Sequence, residues 1–135
     1  MGASSSINNG VYVSCLNKID KHVIMLRDKI RSLNGFIIDP YSEDINCIMN
    51  CISNVDYVLI CLFPDTVRNQ NQVMEINYAL ELQKNVIFIC MDCNYTIETY
   101  PFLRGLIKDN ECLNCCSLED IDNSLIRIKN IIGLT

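Results

Sequence analysis

The sequence predicts a doubly wound α/β domain, five parallel strands with helices on both faces of the sheet. Three observations predict it. Apolar, β-branched runs alternate in strict order with helix-period stretches along the chain. Two of those runs, YVLICLF (57–63) and NVIFICM (85–91), are apolar at almost every position, as strands covered on both faces are. A chain of 135 residues, half of them hydrophobic, supplies one core of that size. Strand–helix alternation implies right-handed crossovers and therefore a parallel sheet.

The elements follow in order. MGASSSINN, residues 1–9, is mostly small and polar and is expected to be a disordered segment ahead of one domain spanning 10–135. VYVSCL from Val11 is β-branched and aromatic, a first strand. The first helix carries Val23, Leu26, Ile30 and Leu33 on one stripe and closes at Asn34-Gly35. GFIID is a second strand ending at Asp39-Pro40, and Ile45, Ile48 and Ile52 mark a second helix. The apolar run 57–63 is the third strand. NQVMEINYALELQKN (71–85) supplies the third helix, and NVIFICM the fourth strand. A short helix over 101–108 leads to ECLNCC, a weaker fifth strand. Ser117, with Asp120 three residues on, opens a last helix bearing Leu118, Ile121, Leu125, Ile128 and Ile132.

In sheets of this kind ligands lie outside the carboxyl ends of the strands, where strand order reverses. The common five-strand order, flavodoxin-like, puts that crevice between strands one and three. Its walls are then the loop after strand one (Cys15, Leu16, Asn17, Lys18), the loop after strand two (39–43) and PDTVRNQNQ after strand three. Glu75, in the first turns of the third helix, falls within about a turn and a half of the crevice.

Composition removes several function classes. A net charge of −5 argues against a general positive field for nucleic acid. No apolar run reaches the roughly 18 residues a bilayer span needs, and the polar start is not a secretory signal. Nine cysteines without such a signal point to a reducing, cytoplasmic setting. His22 is the single histidine, which excludes a two-histidine relay, and no G-x-G-x-x-G or Walker-type loop follows any strand.

GVYVSC, NGFIID, ISNVDYVLICLFP and VMEINYALELQKNVIFI together resemble a Toll/interleukin-1 receptor (TIR) domain over nearly the whole chain after residue nine. The resemblance implies a TIR-like α/β fold and homotypic assembly with further copies or other TIR domains, in immune or stress signalling. In TIR domains that cleave NAD, the glutamate matching Glu75 is the catalytic carboxylate. A carboxylate suits that reaction: breaking the nicotinamide–ribose bond builds oxocarbenium charge, which a nearby anion stabilises or traps. The resemblance makes NAD a substrate, with no further cofactor. It puts the ring in a crevice walled near Cys15, Asn17, Tyr41 and Pro64. Asn71 stands where those enzymes usually have a Trp four residues before the glutamate, and Phe63 where a Ser commonly precedes the Pro.

Blander readings stand beside these. Any acidic residue early in a helix is favoured by the helix dipole, and Glu75 shares a stripe with Tyr78, Ala79 and Leu82. Cys90-x-x-Cys93 and Cys112-x-x-Cys115 have zinc-ribbon spacing, but strand positions three apart point to opposite faces, so buried thiols and no metal are expected. MGASSS fits N-myristoylation at Gly2, and a single acyl chain needs a second membrane contact to hold. The alternatives to an enzyme cleaving NAD are a non-enzymatic TIR adaptor at a membrane and an enzyme resembling nucleoside deoxyribosyltransferases.

Overall fold

A computed structural model describes residues 7–16, 20–33, 35–92 and 111–133. Within them the chain alternates β1 (Ile7–Cys15), α1 (Lys21–Ser32), β2 (Phe36–Ile37), α2 (Ile45–Ser53), β3 (Val55–Leu62), α3 (Gln70–Glu81), β4 (Asn85–Cys90), β5 (Glu111–Asn114) and α4 (Leu118–Ile132). All four strand pairings are parallel, in the order β2-β1-β3-β4-β5. This is the predicted doubly wound sheet with its reversal at β1. The expected helix over 101–108 lies outside the described residues, as do Gly2, Asn17 and Asn34.

Each helix starts where a short polar side chain satisfies orphan amides of the first turn. Asp20 accepts from the His22 and Val23 amides, Asp44 from Asn46, Asn69 from Gln72 and Ser117 from Asp120. Gly133 ends α4 in the left-handed region at φ 81°, accessible to glycine at low cost.

Strand alternation divides the core into two layers. Val11, Val13, Leu59, Cys61, Ile87 and Ile89 meet α1 (Val23, Leu26, Ile30) and α4 (Ile121, Leu125, Ile128, Ile132). Tyr12, Val58, Ile60, Leu62, Val86 and Phe88 meet α2 through Ile52 and α3 through Ile76 and Ala79. Burying both faces explains why β3 and β4 are apolar at successive positions rather than at alternate ones.

Three details differ from the sequence reading. β1 begins at Ile7, four residues before Val11, because its ladder with β3 resumes at Ile7–Val55 after a register shift. β2 has only two paired residues, Phe36 and Ile37, as an edge strand with a neighbour on one side needs few. Leu118, the first helical residue of α4, is 56% exposed, and the core stripe starts one turn later at Ile121.

Candidate functional site

The crevice opens where the topology puts it. β1 is flanked by β2 and β3, α1 covers one face and α2 and α3 the other, so the carboxyl ends of β1 and β3 part over an uncovered gap. A cleft of about 420 Å³ occupies this place. Its walls come from the end of β1 (Cys15, Leu16), the loop before α2 (Glu43), α2 itself (Ile48) and the start of α3 (Asn69, Asn71, Gln72, Glu75).

Gln72 fixes the α3 wall. It shares the buried stripe of Ile76 and Ala79, and a polar side chain on such a stripe needs partners. Its Nε2 donates to the Cys61 carbonyl at 3.0 Å and the Ser14 carbonyl at 3.3 Å, at the ends of β3 and β1. The first turn of α3 is thereby tied to both strands that part at the crevice. Among the described residues, Ser14 Oγ and Gln72 Oε1 are buried without a hydrogen-bond partner.

Glu75 follows one turn later and lines the cleft, half-buried. Tyr12, on the β1 face that meets α3, donates its phenolic O–H to Glu75 Oε1 at 2.5 Å. Burial, and next the charge of Glu75 and the hydrogen bond to it, push the phenol well above its ordinary pKa. Tyr12 is therefore held as a neutral donor beyond the pH at which a free phenol ionises.

The loop between β2 and α2 brings one exposed acidic residue to the cleft rim and leaves an aromatic one outside it. Asp39 at its start is held by Arg27 of α1 at 2.6 Å, and the Asp44 amide donates to Ser42 Oγ at its end. Glu43 lines the cleft, while Tyr41 is 94% exposed and not part of its wall. The cleft lining thus holds two carboxylates, three carboxamides and, among the described residues, no Lys or Arg. A second depression of about 310 Å³ adjoins it, sharing Leu16 and Asn69 and carrying Arg68 and Asp65.

Of the residues expected to surround a ligand, the cleft brings together Cys15, Asn71 and Glu75. Pro64 lies in the turn after β3 and, like Tyr41, is not among the cleft residues. Asn17 lies outside the described residues. Leu16, Glu43, Asn69 and Gln72 belong to the loops the sequence placed around the crevice, whereas Tyr12 and Ile48 are additions from the structure. Gln72 left a trace in the sequence, a polar residue in register with Ile76 and Ala79; Tyr12 left none beyond a hydroxyl inside an apolar strand.

The cysteines serve mainly as packing. Cys112 packs against the α2/α3 layer and Cys115 within the α1/α4 layer, so this pair points to opposite faces. Cys15 and Cys61 are register partners on adjacent strands, and hydrogen bonding from Cys15, then burial, raises the Cys61 thiol. Seven described cysteines stand outside any disulfide, and Cys116 is disulfide-bonded. No group of three or more His, Cys, Asp or Glu side chains among the described residues is arranged to hold a metal. Nor is any described helix long and apolar enough to cross a membrane.

No family model matches the sequence, and no curated protein matches it. Among solved structures, the chain is similar to the crystal structure of the TIR domain of the Toll-related receptor TRR-2 from the lower metazoan Hydra magnipapillata. The TM-score is 0.72 at 13% identity, over 94% of this chain and 99% of that one. At that identity the likeness is one of fold, and the chain has the fold of a TIR domain.

Proposed function

We propose that this TIR-fold domain cleaves the nicotinamide–ribose bond of NAD, with Glu75 as the essential carboxylate. The observation that carries the reading is the position of Glu75 on the wall of the switch-point cleft, on a helix start tied to the sheet by Gln72. The bonding pair of the glycosidic bond leaves with the nicotinamide nitrogen, and positive charge develops at the ribose C1′. Glu75 stabilises that charge, and water adds at C1′ and gives up a proton, yielding ADP-ribose. Two carboxylates, with no Lys or Arg among the described lining residues, suit the cationic nicotinamide riboside half. The phosphates would extend over Leu16 and Asn69 towards Arg68 in the adjoining depression.

Assembly with further copies or other TIR domains belongs to the same proposal, as does a cytoplasmic signalling role. Acylation at Gly2 would hold the domain at a membrane surface. A non-enzymatic adaptor is the second reading. It is favoured by the exposure of Tyr41 and Phe36, large side chains at one edge of the sheet that are free to meet another domain.

The test is NAD consumption resolved by chromatography, on purified protein at high concentration or crowded on lipid vesicles, beside Glu75→Ala. Nicotinamide release by the wild type and none by the variant is the expected result. Absence of turnover in a preparation shown to self-associate would transfer the function to the adaptor reading.

A further inference from the structure

Tyr12 and Glu75 form a contact that packing alone does not require. Tyr12 is 3% exposed in the middle of β1, and a Phe there would bury the same ring without a hydroxyl to desolvate. The hydroxyl instead meets a carboxylate that lines the cleft. A Glu side chain has three rotatable bonds and would sweep a wide arc from a helix surface. Here both its ends are held: the start of α3 by Gln72 on the Ser14 and Cys61 carbonyls, and Oε1 by Tyr12 from the same strand β1.

We infer that Tyr12 is the positioning residue of Glu75, holding its carboxylate ionised and oriented in the cleft so that it faces a cationic ring or a developing ribosyl cation. The inference rests on the cleavage reading for its catalytic consequence, but not for its geometry. The phenol donates a hydrogen bond and the carboxylate accepts it, so the contact favours the charged form of Glu75. A carboxylate fixed in advance loses less freedom when the ligand arrives. Tyr12 need not touch the substrate to act in this way.

The experiment uses Tyr12→Phe, which keeps the ring, and Glu75→Gln, which keeps the side-chain size, each with its unfolding free energy measured. The probe is 1-methylnicotinamide, methylated on the ring nitrogen and so a pyridinium cation with no glycosidic bond, followed by NMR titration between pH 5 and 8. NAD turnover is measured on the same proteins. Probe affinity should fall roughly three- to tenfold in Tyr12→Phe and be lost in Glu75→Gln. In turnover, Tyr12→Phe should lower kcat/KM roughly tenfold, and its acid limb should move to higher pH.

Tyr12→Phe matching the wild type in probe affinity and pH dependence would overturn the inference, as would a wild type that does not bind the probe. If the wild type leaves NAD intact while Tyr12→Phe still weakens the probe, the cleavage reading fails alone. Tyr12 then stands as the positioning residue of a cation-binding carboxylate.

Discussion

Gln72 donates from Nε2 to the main-chain carbonyl of Cys61 at 3.0 Å, joining the first turn of α3 to the carboxyl end of β3. The same nitrogen reaches the Ser14 carbonyl of β1, so one carboxamide spans the two strands that part to form the cleft. Gln72→Leu fits an apolar stripe but leaves both carbonyls without this donor. The expected loss is roughly 1–3 kcal/mol, the range for buried polar groups left unpaired. Urea unfolding with an unchanged m-value checks it. A variant as stable as the wild type would mean the strand ends find other donors.

Buried acids with raised pKa values make stability fall at alkaline pH. Burial raises the Cys115 thiol from its ordinary 9.0 to about 11, and the Cys15 contact and burial raise Cys61. Between pH 9 and 11 the folded state keeps protons that the unfolded chain releases. Stability is therefore full below pH 9 and declines above it, by about 1.4 kcal/mol per pH unit for each such group. Tyr12 adds to the decline above pH 10, the ordinary value of its phenol. Urea midpoints at pH 8, 9.5 and 10.5 should fall in that order, with a shallower slope in Cys115→Ala. A flat profile would contradict the burial of these thiols as protonated groups.

The fold was more legible than the site, for a physical reason. Sheet order follows from crossover handedness and from apolar runs such as 57–63, which are local patterns. Glu75 was legible because a helix start after β3 has one place to lie, beside the switch point. Tyr12 was not, since its partner is 63 positions away and an aromatic in a strand has the pattern of a core residue. Tyr41 illustrates the converse: position in the β2–α2 loop suggested the cleft, but past the turn around Ser42 it is Glu43 that borders the cleft, while Tyr41 stands outside it. Loop direction depends on such turns and on ties like Arg27 to Asp39, which residue type alone does not reveal.

Asp20 caps α1 through two amides, those of His22 at 2.9 Å and Val23 at 3.2 Å. Asp20→Ala leaves both without that acceptor and should cost about 1 kcal/mol, whereas Asp20→Asn should recover most of it. Denaturant unfolding of the pair distinguishes capping from general charge, since Asn retains the acceptor and removes the negative charge.

Arg68 offers a prediction about ligand choice that is separate from the chemistry of bond breaking. It lies in the depression next to the cleft, 84% exposed in its side chain and 3.8 Å from Asp65. If the phosphates of NAD run over Leu16 and Asn69, the guanidinium meets them equally in the bound substrate and in the transition state. An interaction of that kind lowers KM and leaves kcat alone. Arg68→Ala should then raise KM for NAD roughly three- to tenfold with kcat unchanged, and added salt should reduce the difference because the group is exposed to solvent. Nicotinamide riboside carries the same scissile bond and no phosphate, so its kcat/KM should be equal in the wild type and the variant. A matching loss with both substrates would assign Arg68 to the shape of the loop after β3, and no loss with either would move the phosphates elsewhere on the cleft rim.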